Sequence, residues 1–452
     1  IILAMAGLEK ILEMPARFVD VIVQRSAVNS IVMKDGVIKE VSAGEVEGIG
    51  VRILENTWGF ASANSLEDVL GAAKRAHRAA KLGKKIEFGE VKAIIDDVRV
   101  RPKIDPQDVG FEEKCEVLRK AFDAASECKE VVSSTFSYVD ANTGTQYMNS
   151  EGSRINAEYV RVGFFASVFA KKDGQVQVGM ERVGGMGGLE VIEGSTEGAR
   201  DASARAVRLL DAAGAPSGVF SVVMDPLLTG VLIHEALGHA VEADHVIQKE
   251  SILEDKLNES IASEFVNVYD DPTIEGSFGF YFYDSEGTKA RKKAVLEGGV
   301  LKEYLHSRET ASELNMDGTG NARSQSFSHA PVVRMSNTYL APGDSEFDEM
   351  LEDVKYGVYL KGSKGGEVDT ARGVFQFSAE EGFLIENGEL TKPLKDVSLS
   401  GETLEILKNI DAVGRDFDMH IGFCGKASQT VPVGDGGPHI RTLATVGGQN
   451  GA

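Results

Sequence analysis

The sequence predicts an α+β protein: a β-rich, multidomain chain with an internally duplicated N-terminal half and a C-terminal mixed β/α domain built around a metal site. Three observations carry that expectation. Short alternating apolar runs bounded by turn residues recur along most of the chain, the pattern of half-buried strands. Two Ala-rich amphipathic segments, starting at Ser65 and Ser195, each follow such a strand-rich run. From Val219 a buried-strand pattern runs into a helix that ends on His234-Glu235-Ala236-Leu237-Gly238-His239.

The first block spans residues 1–103. Val19 to Val23, Ser30 to Met33, Val37 to Val41 and Gly48 to Leu54 read as strands, with Asp35-Gly36 as a hairpin signal. Ser65 caps a helix from Leu66 to about Leu82, with Asp68 at the capping-box position. Arg101 to Pro106 contains two prolines and no periodicity, as a linker does.

The second block, 104–216, opens on an amphipathic helix over 111–129, where Cys115 and Cys128 act as small buried hydrophobes. Strand signals follow at Val131 to Tyr138, Thr145 to Met148, Ile155 to Val160 and Gly163 to Ala170. Ser195-Thr196-Glu197 then echoes Ser65-Leu66-Glu67 at an offset of 130 residues. Duplication produces such an echo, and so does the shared composition of two Ala-rich helices.

In the third block, 217–452, Asp225 caps a helix with Pro226 at its first position, and Leu228, Val231 and Leu232 form its apolar face. Gly276 to Tyr283 and Val300 to His306 read as strands. Gly318 to Ser328 is polar and aperiodic, a mobile loop over the site by expectation. Lys361 to Gly366 reads as a loop that lacks the Walker order of residues.

The helix end carries the chemistry. In H-E-x-x-H the histidines lie four apart on one helical face. Here His234 and His239 lie five apart, which on an ideal helix sets them about 140° from one another. They converge on one ion only if the helix ends or distorts between them, and Gly238 permits that. Catalytic zinc takes three protein ligands and keeps a position open, and a thiolate is an accepted third. Cys424 lies in a Gly-rich, turn-prone segment that can aim a side chain into a site. Glu242, three residues after His239, is placed either to orient that histidine or to solvate a helix end.

Composition limits the alternatives. The chain has 452 residues, 42% hydrophobic and 26% charged, and a net charge of −22. That acidity argues against nucleic acid and anionic membrane surfaces as partners. Its apolar runs fall short of the roughly 20 residues a membrane helix needs. Ile1 to Ala6 lacks a basic leader and a signal-peptide core, and three cysteines make no disulfide framework; a cytoplasmic location follows as the expectation.

The motifs together resemble the TldD/PmbA family of metallopeptidases, its TldD branch in particular. The resemblance rests on His234 to Asp244, Asp270-Asp271-Pro272-Thr273 with Gly276, Tyr304 to Ala311, Arg334 to Leu340, and Cys424 to Gly434. Gly48 to Arg52 and Trp58 to Ala61 extend it over nearly the whole chain. PmbA-like chains typically lack H-E-x-x-x-H, and this chain keeps it. The resemblance implies one zinc per chain, held by His234, His239 and Cys424, with Glu235 as general base. It implies unfolded peptides as substrates, and a homodimer or a heterodimer with a PmbA/TldE-like subunit. His306 and Arg308, in a motif the resemblance marks, would bind a substrate carbonyl or oxyanion or form an ordinary strand-end pair, and Arg334, Asn337 and Tyr339 would hold a peptide backbone or satisfy a turn. Two other readings stand beside it. A gyrase-modulator-like regulatory factor would hold a closed structural metal with a fourth ligand from Glu242 or His420. A zinc amidase would use the same ligands in a small pocket.

Overall fold

A computed structural model describes residues 2–89 and 91–448. The N-terminal half is organised by one seven-stranded sheet. Helix α1 (Ile2–Leu12) precedes β1 (Phe18–Lys34), β2 (Val37–Leu54), β3 (Trp58–Ala63), α2 (Leu66–Ala80) and β4 (Ile95–Arg99). Helix α3 (Phe111–Ala125), β5 (Val131–Asn149), β6 (Arg154–Lys172), β7 (Gln175–Met186) and α4 (Ser195–Leu210) follow. The strands lie in the order β3-β2-β1-β5-β6, with β4 and β7 sharing the outer edge of β6. The first two blocks thus meet in one sheet, along the antiparallel β1–β5 pair.

Several expected short strands are halves of long ones. Val19 to Val23 and Ser30 to Met33 both belong to β1, and the four strand signals between Val131 and Ala170 merge into β5 and β6. The joining residues mix polar and apolar side chains of uneven burial, so alternation fades, yet β1 still pairs on both sides through them.

The two halves repeat one arrangement. Helix α2 covers β2 and β3 as α4 covers β6 and β7. Each contact is closed by a strand glycine under a helix alanine. A Cβ on Gly59 would stand 1.8 Å from Ala76 O, and one on Gly179 would stand 1.9 Å from Ala202 O.

The C-terminal segment holds a ten-stranded and a six-stranded sheet. Strands β8 (Ala213–Gly214) and β9 (Gly218–Met224) lie in the larger one, β9 between Tyr356–Lys361 and Ile440–Gly448. The smaller sheet contains Val268–Asp270, Asn337–Leu340, Gln429–Gly437 and Asp418–Lys426 as neighbours in that order. Helix α5 (Pro226–Leu232) leaves β9 and shares one apolar core with both sheets. Asp225 fixes its start, accepting from Leu228 N at 2.8 Å and from Gly362 N at 3.0 Å. Gly230 lets the helix touch the smaller sheet, since a Cβ there would stand 2.5 Å from Gly436 N.

Three expectations need correction. Gly276 to Tyr283 forms turns and bends rather than a strand, because its amides are satisfied locally and by a side chain: Gly279 N donates to Asn337 Oδ1 at 2.9 Å. Of the expected 300–306 strand, Val300–Leu301 forms a short strand and Leu305 a single bridge to Glu242, without a continuous ladder between them. The 318–328 segment is packed. Thr319, Asn321 and Arg323 are buried, and Phe327 fills the space over Gly48, where a Cβ would stand 2.1 Å from its ring.

Candidate metal centre

Helix α5 does not break before His239. It widens into a π-turn over Ile233–Gly238, in which His239 N donates to His234 O at 3.2 Å. That i→i+5 bond sets residues five apart on one face. The two imidazoles stand edge to face, 5.2 Å between centroids. Cys424 reaches them from the strand Asp418–Lys426, its Sγ 3.6 Å from His239 Nε2. One ligand atom from each of His234, His239 and Cys424 lies within 4.8 Å of the others.

The surroundings orient both histidines. His239 Nδ1 lies 3.0 Å from Glu242 Oε2, which leaves Nε2 toward the sulfur. Lys426 Nζ donates to the same Glu242 oxygen at 2.9 Å and to Asp244 at 2.7 Å. Burial opposes the Glu242 charge, but His239 and Lys426 overcome it and hold the carboxyl down at about 2. His234 Nδ1 lies 2.6 Å from Asp435 Oδ1, close enough to pair but not aligned as a hydrogen bond. Asp435 was not among the residues expected from sequence; it lies ten positions past Gly425, the glycine after Cys424, and its place comes from the register that sets His420 opposite it.

The donor set suits a soft divalent ion. Burial alone would raise the Cys424 thiol, yet His234 and His239 hold it well below the ordinary thiol range. The thiolate is the form that ligates zinc. Three ligand atoms cluster among the described residues; Glu242 is spent on His239, and His420 sits by Asp418 at 3.6 Å. A closed structural zinc site would have a fourth. Glu235 projects beside the cluster, Oε2 3.8 Å from His239 Nε2, and burial pushes its carboxyl above the ordinary range.

The five residues expected to bind substrate have other partners. Arg308 Nη2 donates to Glu151 at 2.8 and 2.9 Å and to Gly89 O at 2.8 Å, tying the C-terminal segment to the N-terminal half. His306 is buried with Nδ1 3.2 Å from Thr310 Oγ1. Arg334 donates to Cys424 O and, at 3.4 Å, to Gln429 O, bracing the ligand strand. Asn337 bridges Gly279 N and Asp271 O. Tyr339 stacks between Tyr269 and Phe417. Each is thus tied into the framework through at least one contact, while His306 Nε2, Arg308 Nε and Nη1, and Arg334 Nε are buried without a hydrogen-bond partner.

Family models match the chain in three consecutive stretches: PmbA/TldA metallopeptidase domain 1 over residues 19–80, the central domain over 104–210 and the C-terminal domain over 217–448. A protein of Methanocaldococcus jannaschii named a metalloprotease is 46% identical over 447 residues, covering 97% of this chain and 98% of its own length. The zinc metalloprotease TldD homolog of Saccharolobus solfataricus is 30% identical over 444 residues, covering 96% and 97%. Among solved structures, TldE from Thermococcus kodakarensis superposes with a TM-score of 0.81 at 19% identity, over 98% of this chain and 100% of that one, and so shares the fold.

Proposed function

The chain belongs to the PmbA/TldD family of metallopeptidases, and from that we propose that it hydrolyses unfolded peptides with one zinc held by His234, His239 and Cys424. The observation that carries this reading is a cluster of three ligand atoms beside a free carboxylate, Glu235. Bound there, the ion supplies Lewis acidity and a water of lowered pKa. Glu235 takes the water's proton and passes it to the leaving amine, a role suited to a carboxyl raised by burial. Glu242 keeps His239 in the tautomer that points Nε2 at the site. The unfolded-peptide reading fits a site in which His234 and Cys424 are buried while the Glu235 side chain is 25% exposed. An extended chain can dock there by strand addition, which reads backbone rather than sequence. Pairing with a second copy or with a TldE-like chain would enclose the site, in keeping with the shared fold.

The test is zinc content by elemental analysis, alongside hydrolysis of unfolded casein by the parent and Glu235→Gln. About one zinc in both proteins, with hydrolysis in the parent alone, is the expected result. A variant that hydrolyses casein as fast as the parent removes Glu235 from its role, and a parent that binds no added zinc removes the ligand assignment.

A further inference from the structure

A cleft of about 200 Å³ lies between the N-terminal sheet and the C-terminal segment. Arg161, from β6, and Arg323, from the packed 318–328 segment, both line it. Arg161 Nε donates to Phe278 O at 3.1 Å, and its guanidinium lies 5.3 Å from the centroid of the Phe278 ring. Its two terminal nitrogens meet no protein acceptor among the described residues. Arg323 is buried, gives its hydrogen bonds to Met335 O and, at 2.6 Å, to Pro432 O, and lies 5.0 Å from the Tyr281 centroid. Burial and the neighbouring Arg323 charge push Arg161 down to about 9.

Four other buried cations meet an acid: Arg52 pairs with Asp20 and Glu286, Lys114 with Asp140, Lys293 with Asp270 and Arg308 with Glu151; Arg334 is instead bonded to the carbonyls of Cys424 and Gln429. Here the acid on the cleft wall, Asp284, forms no ion pair with either arginine and is held by backbone amides. Its Oδ1 accepts from Glu286 N and Thr288 N, both at 2.9 Å, and its Oδ2 from Ala322 N at 3.0 Å. A buried and a half-buried cation that face one space without an ion-pair partner are costly, and an entering anion relieves that cost.

We propose that Arg161 and Arg323 form an anion subsite that receives the free carboxylate of a peptide's C-terminal residue. This rests on the peptide-hydrolysis reading. A guanidinium fork matches a carboxylate in two-point contact. The cleft is smaller than the roughly 300–1,000 Å³ of whole-ligand sites, which suits the end of a chain. It also shares a wall with the ligand strand: Val431 and Pro432 line it, and they stand opposite Cys424 and Phe423 in register. Phe423 in turn packs against Phe278, the ring under Arg161, at 5.3 Å.

The test compares acetyl-Ala-Ala-Ala with its C-terminal amide by titration calorimetry, in the Glu235→Gln background so that turnover does not intrude. The free acid binds about tenfold tighter or more, and Arg161→Gln brings the two affinities together. Equal binding of acid and amide by the parent overturns the proposal, and so does an undiminished preference in a folded Arg161→Gln. Inorganic phosphate that binds while acid and amide stay equal identifies a free-anion site instead, which also overturns it. Should Arg161→Gln not fold, the acid–amide comparison on the parent decides alone. An acid preference without hydrolysis of any peptide by wild type sinks the catalytic reading and leaves the subsite standing.

Discussion

A Cβ on Gly238 would stand 1.9 Å from Met335 Sδ. Gly238 is not among the residues with positive φ, so its place in the π-turn is dictated by contact rather than by backbone freedom. Gly238→Ala therefore overpacks the turn and destabilises the protein by about 1–3 kcal/mol. Met335 is fully buried, so Met335→Ala costs stability by itself, but in its background Gly238→Ala costs less than in the parent. Urea midpoints of the parent, both single variants and the double variant check this, and an equal cost of Gly238→Ala in both backgrounds removes Met335 as the cause.

Glu242 is buried and shared between His239 and Lys426. Replacing it by Gln keeps the shape but removes the charge that fixes His239. Zinc affinity falls about 10–100-fold, as for other carboxylates behind a ligand histidine. Competition with a chromophoric chelator reads this directly; an unchanged affinity means His239 is oriented by packing alone.

Arg334 is fully buried and spends its donors on the strand pair that carries Cys424. Arg334→Met removes two charge-assisted hydrogen bonds to those carbonyls, a loss of about 1–3 kcal/mol. It also loosens Cys424, so zinc occupancy falls along with stability. A variant of parental stability that shows only a raised KM would return Arg334 to the substrate-binding role expected from the motif.

His306 supplies a pH dependence remote from the metal ligands. Burial, then the Arg291 charge, hold it down at about 4, against roughly 6.5 in an unfolded chain. Between those values the unfolded state binds the extra proton. Stability is therefore whole above about pH 6.5 and falls as the pH drops toward 4, by about 3 kcal/mol. His306→Gln flattens that part of the stability curve. Equal slopes in parent and variant between pH 6.5 and 4 count against this account.

How much of this was legible in the sequence varied with the range of the interaction. His234, Glu235 and His239 announce themselves because a strand, a cap and an apolar face lead into them within a few residues. Helices α2 and α4 were found for the same local reason, and the repeated glycine–alanine contacts at Gly59 and Gly179 fit the echo between them. Cys424 converged with the histidines from 185 residues away, and chemistry rather than pattern pointed to it. Asp435 and Lys426 were missed because their roles depend on strand register and on which face a side chain takes. The 318–328 segment looked mobile because its polarity is real, yet its polar groups bond inward and Phe327 anchors it.

The i→i+5 bond between His234 and His239 makes this centre non-portable. A helix excised from its sheets has no Met335 or Cys424 strand to keep the wider turn, and it relaxes toward α geometry, which sets the two imidazoles about 140° apart. An H-E-x-x-H helix can be moved into a new scaffold as a cassette, because four-residue spacing is native to any α-helix. The five-residue version cannot. A designer borrowing it would have to bring the strand, the thioether and the glycine as well, and a natural chain can evolve away from it by losing any one of them.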